Sequence, residues 1–213
     1  MNYCSTCGNP IALAIPENDS RQRHVCQVCD RVYYQNPNII TGCLATLDGK
    51  VLLCRRAIAP QIGYWTLPAG FLENGETTEQ GAMRETWEEA RASVKLDQLY
   101  GVFNVPHINQ VYMVYKGQLL NTTIAAGVES MEVQLFDEAD IPWDQLAFSV
   151  VESTLKQYFI DRKVQRYPLI CETAGQRLPN SKPLTSIPFP SASERQQAAP
   201  HTQTTVPQRT AIG

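Results

Sequence analysis

Two periods of apolar and polar positions run through this chain, and where one gives way to the other an element ends. Ile39–Leu47 and Lys50–Arg56 are runs rich in aliphatic and β-branched residues, joined by Asp48-Gly49, a dipeptide suited to a tight hairpin turn. Thr41, Gly42 and Thr46 interrupt the first run, the most apolar in the chain, so it reads as a buried strand. It falls far short of the roughly 20 apolar residues needed to cross a bilayer. Tyr64–Leu67 predicts a short strand, and Tyr100–Val105, Val111–Lys116 and Glu132–Phe136 predict three more from their β-branched and aromatic content. Thr77 with Gln80 forms a capping box that starts a helix at Thr78, with Met83, Thr86 and Ala90 as its core-facing stripe. Gly81 and Ala82 are small enough to let that helix pack closely. Ser149 with Glu152 predicts a second capping box, opening a helix with Val151, Leu155, Phe159 and Arg162 on one side. Strands interleaved with two helices imply an α/β sandwich.

At 213 residues the chain allows one medium domain with appendages. The periodic segments occupy residues 36–165. Before them, Cys4-x-x-Cys7 and Cys26-x-x-Cys29 stand 18 residues apart, a spacing typical of a four-thiolate zinc site. Gly8 and Asn9-Pro10 supply the turn such a knuckle needs. No βαβ pattern surrounds either pair and no signal peptide is evident, which argues against a redox motif or disulfides. Residues 1–35 therefore read as a zinc ribbon, too small to hold a core without metal. Four protein ligands close the coordination sphere, so that zinc is structural. His24 is a nearby fifth candidate. Cys43, Cys54 and Cys171 lack a partner pattern and read as free thiols, which fits a reducing cytoplasm. After the helices the character changes again. Residues 166–213 read as a C-terminal extension, rich in Pro, Ser, Thr and Gln from about Glu172 and mostly disordered, with Ile187 and Phe189 as its plausible docking residues.

The net charge of −3 and sequence pI near 5.6 argue against electrostatically driven nucleic-acid binding. Acid is concentrated where it can do chemistry. Glu85, Glu88 and Glu89 lie at i, i+3 and i+4, so the helix beginning at Thr78 carries all three carboxylates on one face. Such a cluster is either a solvated acidic face or a site for a hard divalent cation such as Mg²⁺ or Mn²⁺. Gly70 and Gly75 flank a loop that leads to the N-terminus of this helix. Gly70, five residues, Glu76, seven residues, then Arg84-Glu85-x-x-Glu88-Glu89 resembles the Nudix box, and Leu67-Pro68-Ala69-Gly70 before it also fits. Two positions depart from the pattern. Thr86 stands where the family usually has an aliphatic residue, and Arg91 stands where it usually has Gly at the helix C-terminus. Arg91 reads as a changed cap that suits the helix dipole.

The resemblance implies the Nudix α/β/α sandwich with a mixed sheet, here preceded by a small Cys4 zinc ribbon. It implies hydrolysis of a pyrophosphate in a nucleoside diphosphate linked to another moiety, with Mg²⁺ or Mn²⁺ required. Glu85 and Glu89 look like the principal ligands, Ala69 supplies a backbone carbonyl, and Glu88 either shares a metal or acts as base. Arg84 pairs with Glu76 and orients the helix face. A further acid comes from a later loop, where Glu129 matches better than Glu132.

Substrate choice rests on finer features. The Ser-Gln-Pro-Trp-Pro-Phe-Pro segment of NADH pyrophosphatases is absent, and Phe103-Asn104-Val105-Pro106-His107-Ile108-Asn109-Gln110 stands in its place. Tyr34-Gln35-Asn36-Pro37, Gly42-Cys43-Leu44, Lys50-Val51-Leu52-Leu53-Cys54, Trp65 to Gly70 and Leu146-Ala147-Phe148-Ser149 resemble the plant chloroplast FAD/ADP-ribose pyrophosphatase subfamily. The plant targeting peptide is missing, which leads to an expectation of a bacterial, cytoplasmic setting. FAD and ADP-ribose are the expected substrates, NADH-type activity the alternative. Tyr33, Tyr64, Phe103 and Tyr112 are candidate pocket aromatics. A non-catalytic nucleotide-sensing module is the alternative of a different class, and it would be expected to lack one of Arg84, Glu85, Glu88 or Glu89. The expected partner is a small-molecule nucleotide, with no nucleic acid or membrane and with homodimerisation possible.

Overall fold

A computed structural model of the protein describes residues 1–174. The predicted Ile187 and Phe189 docking residues and the rest of the extension beyond residue 174 lie outside the described residues. At the N-terminus, β1 (Ile11–Ala14), β2 (Arg23–Cys26) and β3 (Val32–Tyr33) form a three-stranded antiparallel sheet. The main sheet contains β4 (Asn38–Leu47), β5 (Lys50–Arg56), β6 (Trp65–Thr66), β7 (Ala69–Phe71), β8 (Val94–Val105), β9 (Gln110–Leu119), β10 (Ser130–Phe136) and β11 (Ile170–Thr173). Its order is β10-β5-β4-β9-β8-β11, with β6 beside β5 and β7 beside β4. The β4/β9 and β11/β8 pairs are parallel and the others antiparallel, so the sheet is mixed. Two helices cover it, α1 (Thr78–Ala90) and α2 (Ser149–Val164).

Period-two alternation assigns the central strands to two cores, one on each face of the sheet. Leu44, Val51 and Leu53 join Tyr100, Phe103, Leu155, Tyr158 and Phe159 in a large aromatic core with α2. Their neighbours Cys43, Ala45, Leu52 and Cys54 join Ala90, Ala92, Val94 and Leu119 in a core of smaller side chains with α1. A sheet buried on both faces explains why β4 reads as a nearly continuous apolar run. The β4–β5 hairpin forms at the predicted place: Asp48 and Gly49 both have positive φ, 49° and 83°, as a two-residue turn of this hand requires. Arg162 of α2 donates to the Gly49 carbonyl at 2.6 Å and fastens the turn to the helix.

Several expectations are corrected. Ile170–Thr173, assigned from sequence to the extension, form β11 and pair with Gly101–Asn104 of β8. The stretch before it is also anchored, with Tyr167 stacked on Tyr158 and its carbonyl accepting from Gln98 at 2.6 Å. Thr77 does cap α1, with both halves of the capping box present. Ser149 does not cap α2. Phe148 is the N-cap, without a side-chain cap bond, and its carbonyl accepts from Val151 and Glu152. Met83 is not in the α1 stripe either. It is 40% exposed, and the face that packs inward carries Gly81, Ala82, Glu85, Thr86, Glu89 and Ala90. Among the described residues no helix is long and apolar enough to cross a membrane.

Candidate active site

The inward turn of α1 follows from close approach at its N-terminal half. A Cβ on Gly81 would lie 2.6 Å from the Thr41 side chain, and Thr41 donates to the Thr78 carbonyl at 2.7 Å. This clamps α1 against β4 and turns Glu85 and Glu89 to its buried face. Gly70 is required by the same geometry, because a Cβ there would meet the Glu85 carboxylate at 2.3 Å. Thr86, the departure from the family pattern, is fully buried, and its hydroxyl is satisfied by the Ala82 carbonyl at 2.7 Å. Its methyl then packs as an aliphatic residue would.

The three glutamates are not equivalent. Glu85 and Glu89 are buried, at 8% and 6% exposure, whereas half of the Glu88 side chain stands in solvent. Burial raises the pKa of Glu89 from 4.5 to about 8, with the Glu85 carboxylate adding to the rise and Arg56 opposing it. Burial also raises Glu85; Arg84 opposes this, while the Glu88 and Glu129 carboxylates reinforce it. Glu89 Oε2 has no hydrogen-bond partner. A buried, unpartnered carboxylate oxygen beside a second buried carboxylate is the environment a divalent cation relieves, and the all-oxygen donor set suits a hard ion. These residues fit such a cation.

Arg84 holds the arrangement in place. It donates to both oxygens of Glu76 at 2.7 and 3.0 Å, to Glu85 at 2.7 Å, to Glu88 at 2.9 Å and to the Phe71 carbonyl at 3.0 Å. All five guanidinium N–H groups are thereby engaged. The Arg84 bonds, with the Glu73 amide, hold the Glu76 carboxyl down at about 2. Arg91 ends the helix in the left-handed conformation, φ 51°, its N–H on the Trp87 carbonyl and its guanidinium 5.9 Å from the Trp87 ring. A non-glycine residue in this conformation costs about 1–2 kcal/mol.

The loop after β9 closes the C-terminal end of α1. Ala125 and Gly127 donate their amides to the Ala90 and Glu89 carbonyls, each at 2.9 Å. A Cβ on Gly127 would lie 1.7 Å from the Glu88 carbonyl, so the loop seats flush on the helix. It delivers Glu129 to a groove of about 630 Å³ that also contains Ala69, Gly70, Glu85, Glu88 and Glu89. That volume falls in the range of small-molecule sites. Glu132 instead faces Arg55 at 3.5 Å.

Of the four candidate aromatics, only Tyr112 lines this groove. Phe103 is fully buried in the core, Tyr33 belongs to the ribbon, and Tyr64 lies on the exposed turn before β6. Arg56, Phe148, Ile58 and Ile108 line the groove and were not anticipated. Phe148 lies in the Leu146–Ser149 stretch and Ile108 in the Phe103–Gln110 stretch, but nothing in either marks them as groove residues; the fold brings all four together.

In the ribbon, the Sγ atoms of Cys4, Cys7, Cys26 and Cys29 all lie within 4.8 Å of one another. Three of the separations are 3.5–3.6 Å. Tetrahedral Zn–S bonds of about 2.3 Å imply ligand separations of about 3.8 Å, so the cluster fits structural zinc. The Tyr33 hydroxyl donates to Cys4 Sγ at 3.1 Å and lowers the Cys4 thiol to about 5, which favours the thiolate a metal needs. His24 lies in β2, outside this cluster. No disulfide forms, and burial pushes the Cys43 and Cys54 thiols up, as for inert core cysteines.

A groove floored by helix carboxylates under a mixed sheet, next to a four-cysteine ribbon, defines a class that comparison with known proteins identifies. The family described as the NUDIX domain matches residues 37–155, and the one described as Nudix N-terminal, a zinc ribbon, matches residues 2–35. The chain belongs to the Nudix hydrolases. It is 48% identical to a NUDIX hydrolase from Nitrosomonas europaea of known crystal structure, with a TM-score of 0.78 over 81% of this chain and 99% of that one. It is 31% identical over 131 residues to the ADP-ribose pyrophosphatase of Methanocaldococcus jannaschii, covering 59% of this chain and 75% of that protein. It is 37% identical over 94 residues to the NAD-capped RNA hydrolase NudC of Chromobacterium violaceum, covering 44% of this chain but only 33% of that protein.

Proposed function

We propose that the chain hydrolyses the pyrophosphate of FAD, to FMN and AMP, or of ADP-ribose, to AMP and ribose 5-phosphate. The observation that carries the reading is the unpartnered, buried Glu89 Oε2 beside Glu85 on the floor of an open groove. Glu85, Glu89 and the Ala69 carbonyl would hold Mg²⁺ or Mn²⁺, with Glu129 completing the set from the far side and Glu88 either sharing a cation or serving as base. A divalent cation bound there neutralises pyrophosphate charge and lowers the pKa of nearby water. The chain's own residues do the remainder. Arg84, with every donor engaged by protein, fixes the carboxylates and has none left for substrate. Glu88 stands at the mouth with the solvent access a proton acceptor needs, though Arg84 holds one of its oxygens. The closed four-thiolate ribbon offers no position for a reacting group.

The similarity to an ADP-ribose pyrophosphatase supports this choice, and the similarity to NudC supports NADH and NAD-capped RNA as the alternative substrates. The test is chromatographic product analysis on FAD, ADP-ribose, NADH and NAD-capped RNA, with and without Mg²⁺ or Mn²⁺. The expected result is metal-dependent release of AMP from FAD or ADP-ribose, with NADH the poorer substrate. A higher kcat/KM on NADH or capped RNA than on both would overturn the substrate choice. Failure to cleave any nucleoside diphosphate compound would favour the binding-module alternative.

A further inference from the structure

Among the described residues, only two buried side-chain polar atoms lack a hydrogen-bond partner, Glu89 Oε2 and Ser130 Oγ. They are chemically complementary, since a hydroxyl has a proton to give and a carboxylate oxygen has lone pairs to receive one. Ser130 is 7% exposed, so bulk water does not satisfy it. A buried polar group left without a partner is destabilising, and native chains retain few of them. Two in one place call for a shared explanation.

The sheet and the loop after β9 bring the two residues together. Ser130 is paired across the β10/β5 ladder with Arg56, so both side chains leave the sheet on one face, and Cys54, two residues before Arg56, leaves it on the same face. That is the face α1 covers, because Cys54 packs in one core with Ala90, the residue after Glu89. Burial pushes the Cys54 thiol up, the Glu89 charge pushes it further, and the Ser130 side chain opposes both, so the two residues act on a single thiol. The backbone gives a second link. The Ser130 amide donates to the Gly127 carbonyl at 3.2 Å, and the Gly127 amide donates to the Glu89 carbonyl at 2.9 Å. Ser130 is not among the residues lining the groove, whereas its neighbour Glu129 is. Its hydroxyl therefore approaches the carboxylate floor from behind, out of reach of substrate.

The Cys54 thiol is too weak a partner to satisfy either oxygen, and no direct bond joins the two. One buried water between them would have Ser130 Oγ, Glu89 Oε2 and the Cys54 sulfur as neighbours, enough partners to hold it. The Ser130 proton then goes to the water, and a water proton goes to Glu89 Oε2.

We infer that Ser130 is a positioning residue of the carboxylate floor, whose hydroxyl acts through one buried water to hold the Glu89 carboxylate turned for a divalent cation. This rests on the proposed pyrophosphatase reading and adds to it what fixes one of the cation's ligands from the sheet side. Support of this kind around a ligating carboxylate commonly sets metal affinity as much as the ligand itself does.

The test is Mn²⁺ binding to the full chain with its ribbon zinc-loaded, read from the electron paramagnetic resonance signal of the free ion, for the wild type, Ser130→Ala and Ser130→Thr. Ser130→Ala should weaken Mn²⁺ by roughly tenfold or more, the scale of losing an outer partner of a metal ligand. Its metal-free unfolding midpoint in urea should hardly move, because the lost hydroxyl has no protein partner, and this separates a positioning role from a structural one. Ser130→Thr keeps the hydroxyl and should restore most of the affinity. Wild-type Mn²⁺ affinity in Ser130→Ala, or an equal loss in Ser130→Thr, would overturn the assignment while leaving the pyrophosphatase reading standing. A wild type that binds no Mn²⁺ would overturn both.

Discussion

Glu89→Gln separates two opposed effects of one carboxylate. In the folded chain Glu89 takes up its proton at about 8, against 4.5 ordinarily, mainly because it is buried. Between those pH values the folded chain holds a proton that the unfolded chain has released, so the folded state is weakened as pH rises through the window. The weakening is complete above pH 8. At about 1.36 kcal/mol per pH unit, the burden is roughly 3.4 kcal/mol at pH 7 and about 4.8 kcal/mol above pH 8. Gln has nearly the same shape and no charge, but its amide still leaves a buried polar atom unpaired, at a cost of about 1–3 kcal/mol. Without added Mg²⁺, the variant should therefore be more stable than the wild type by about 1–3 kcal/mol at pH 8, and no more stable at pH 5. Added Mg²⁺ should raise wild-type stability at pH 8 and leave the variant nearly unmoved, since binding stabilises only the state that binds.

Turnover should move the other way, with kcat reduced by roughly 10²-fold or more, the scale of removing one electrostatic contact at a reacting centre. Urea unfolding at pH 5, 7 and 8, with and without Mg²⁺, reads the first effect, and steady-state hydrolysis the second. A metal-free variant less stable than the wild type at pH 8 would refute the desolvation argument. Near wild-type turnover would refute the assignment of this helix face.

Elemental analysis should find about one zinc per chain that resists mild chelation, and Cys26→Ser should open residues 1–35 to protease; zinc-free protein with a resistant N-terminus would refute the ribbon. Arg84→Lys keeps the charge but offers three donors in place of five, so it should cost about 1–3 kcal/mol by chemical denaturation, and an unchanged midpoint would contradict the clamp. Gly127→Ala places a Cβ 1.7 Å from the Glu88 carbonyl and should push the loop off α1, lowering stability and kcat together. Unchanged values for both would show that the loop does not need that contact.

What the sequence made legible was local. Asp48-Gly49 and the Thr77/Gln80 box each specify a turn or cap within four residues, and both form where expected. The inward face of α1 was misread because Met normally packs inside and Glu outside. Here Gly81 against Thr41 fixes the helix rotation, and the carboxylates go inward with Met83 left out. Ala69–Phe71 and Ile170–Thr173 are strands only because distant partners, β4 and β8, accept their backbones. No period is visible in three or four residues. The second capping box failed for a related reason: Ala147 is already bonded to the Trp65 carbonyl and Phe148 packs by Arg56, so the chain enters α2 one residue earlier than Ser149 would place it.

The two loop acids show how one residue of register decides chemistry. Glu129 and Glu132 are both reachable by spacing, and a regular strand would offer no physical reason to prefer either. The β10/β5 ladder is not regular. Ser130 pairs with Arg56 and Glu132 pairs with Arg55, so two steps on β10 match one on β5 and Met131 is the extra residue. That bulge turns Glu132 toward Arg55 on one side and leaves Glu129, just before the strand, lining the groove that Arg56 also lines. The same irregularity therefore sets an acid and an unpaired arginine side by side, across from the α1 carboxylates. Glu129→Gln removes this acid's charge and leaves the pairing of Ser130 with Arg56 in place. If Glu129 completes the cation set, the variant should need a higher Mg²⁺ concentration for half-maximal activity while still folding, and an unchanged Mg²⁺ requirement would remove Glu129 from that set.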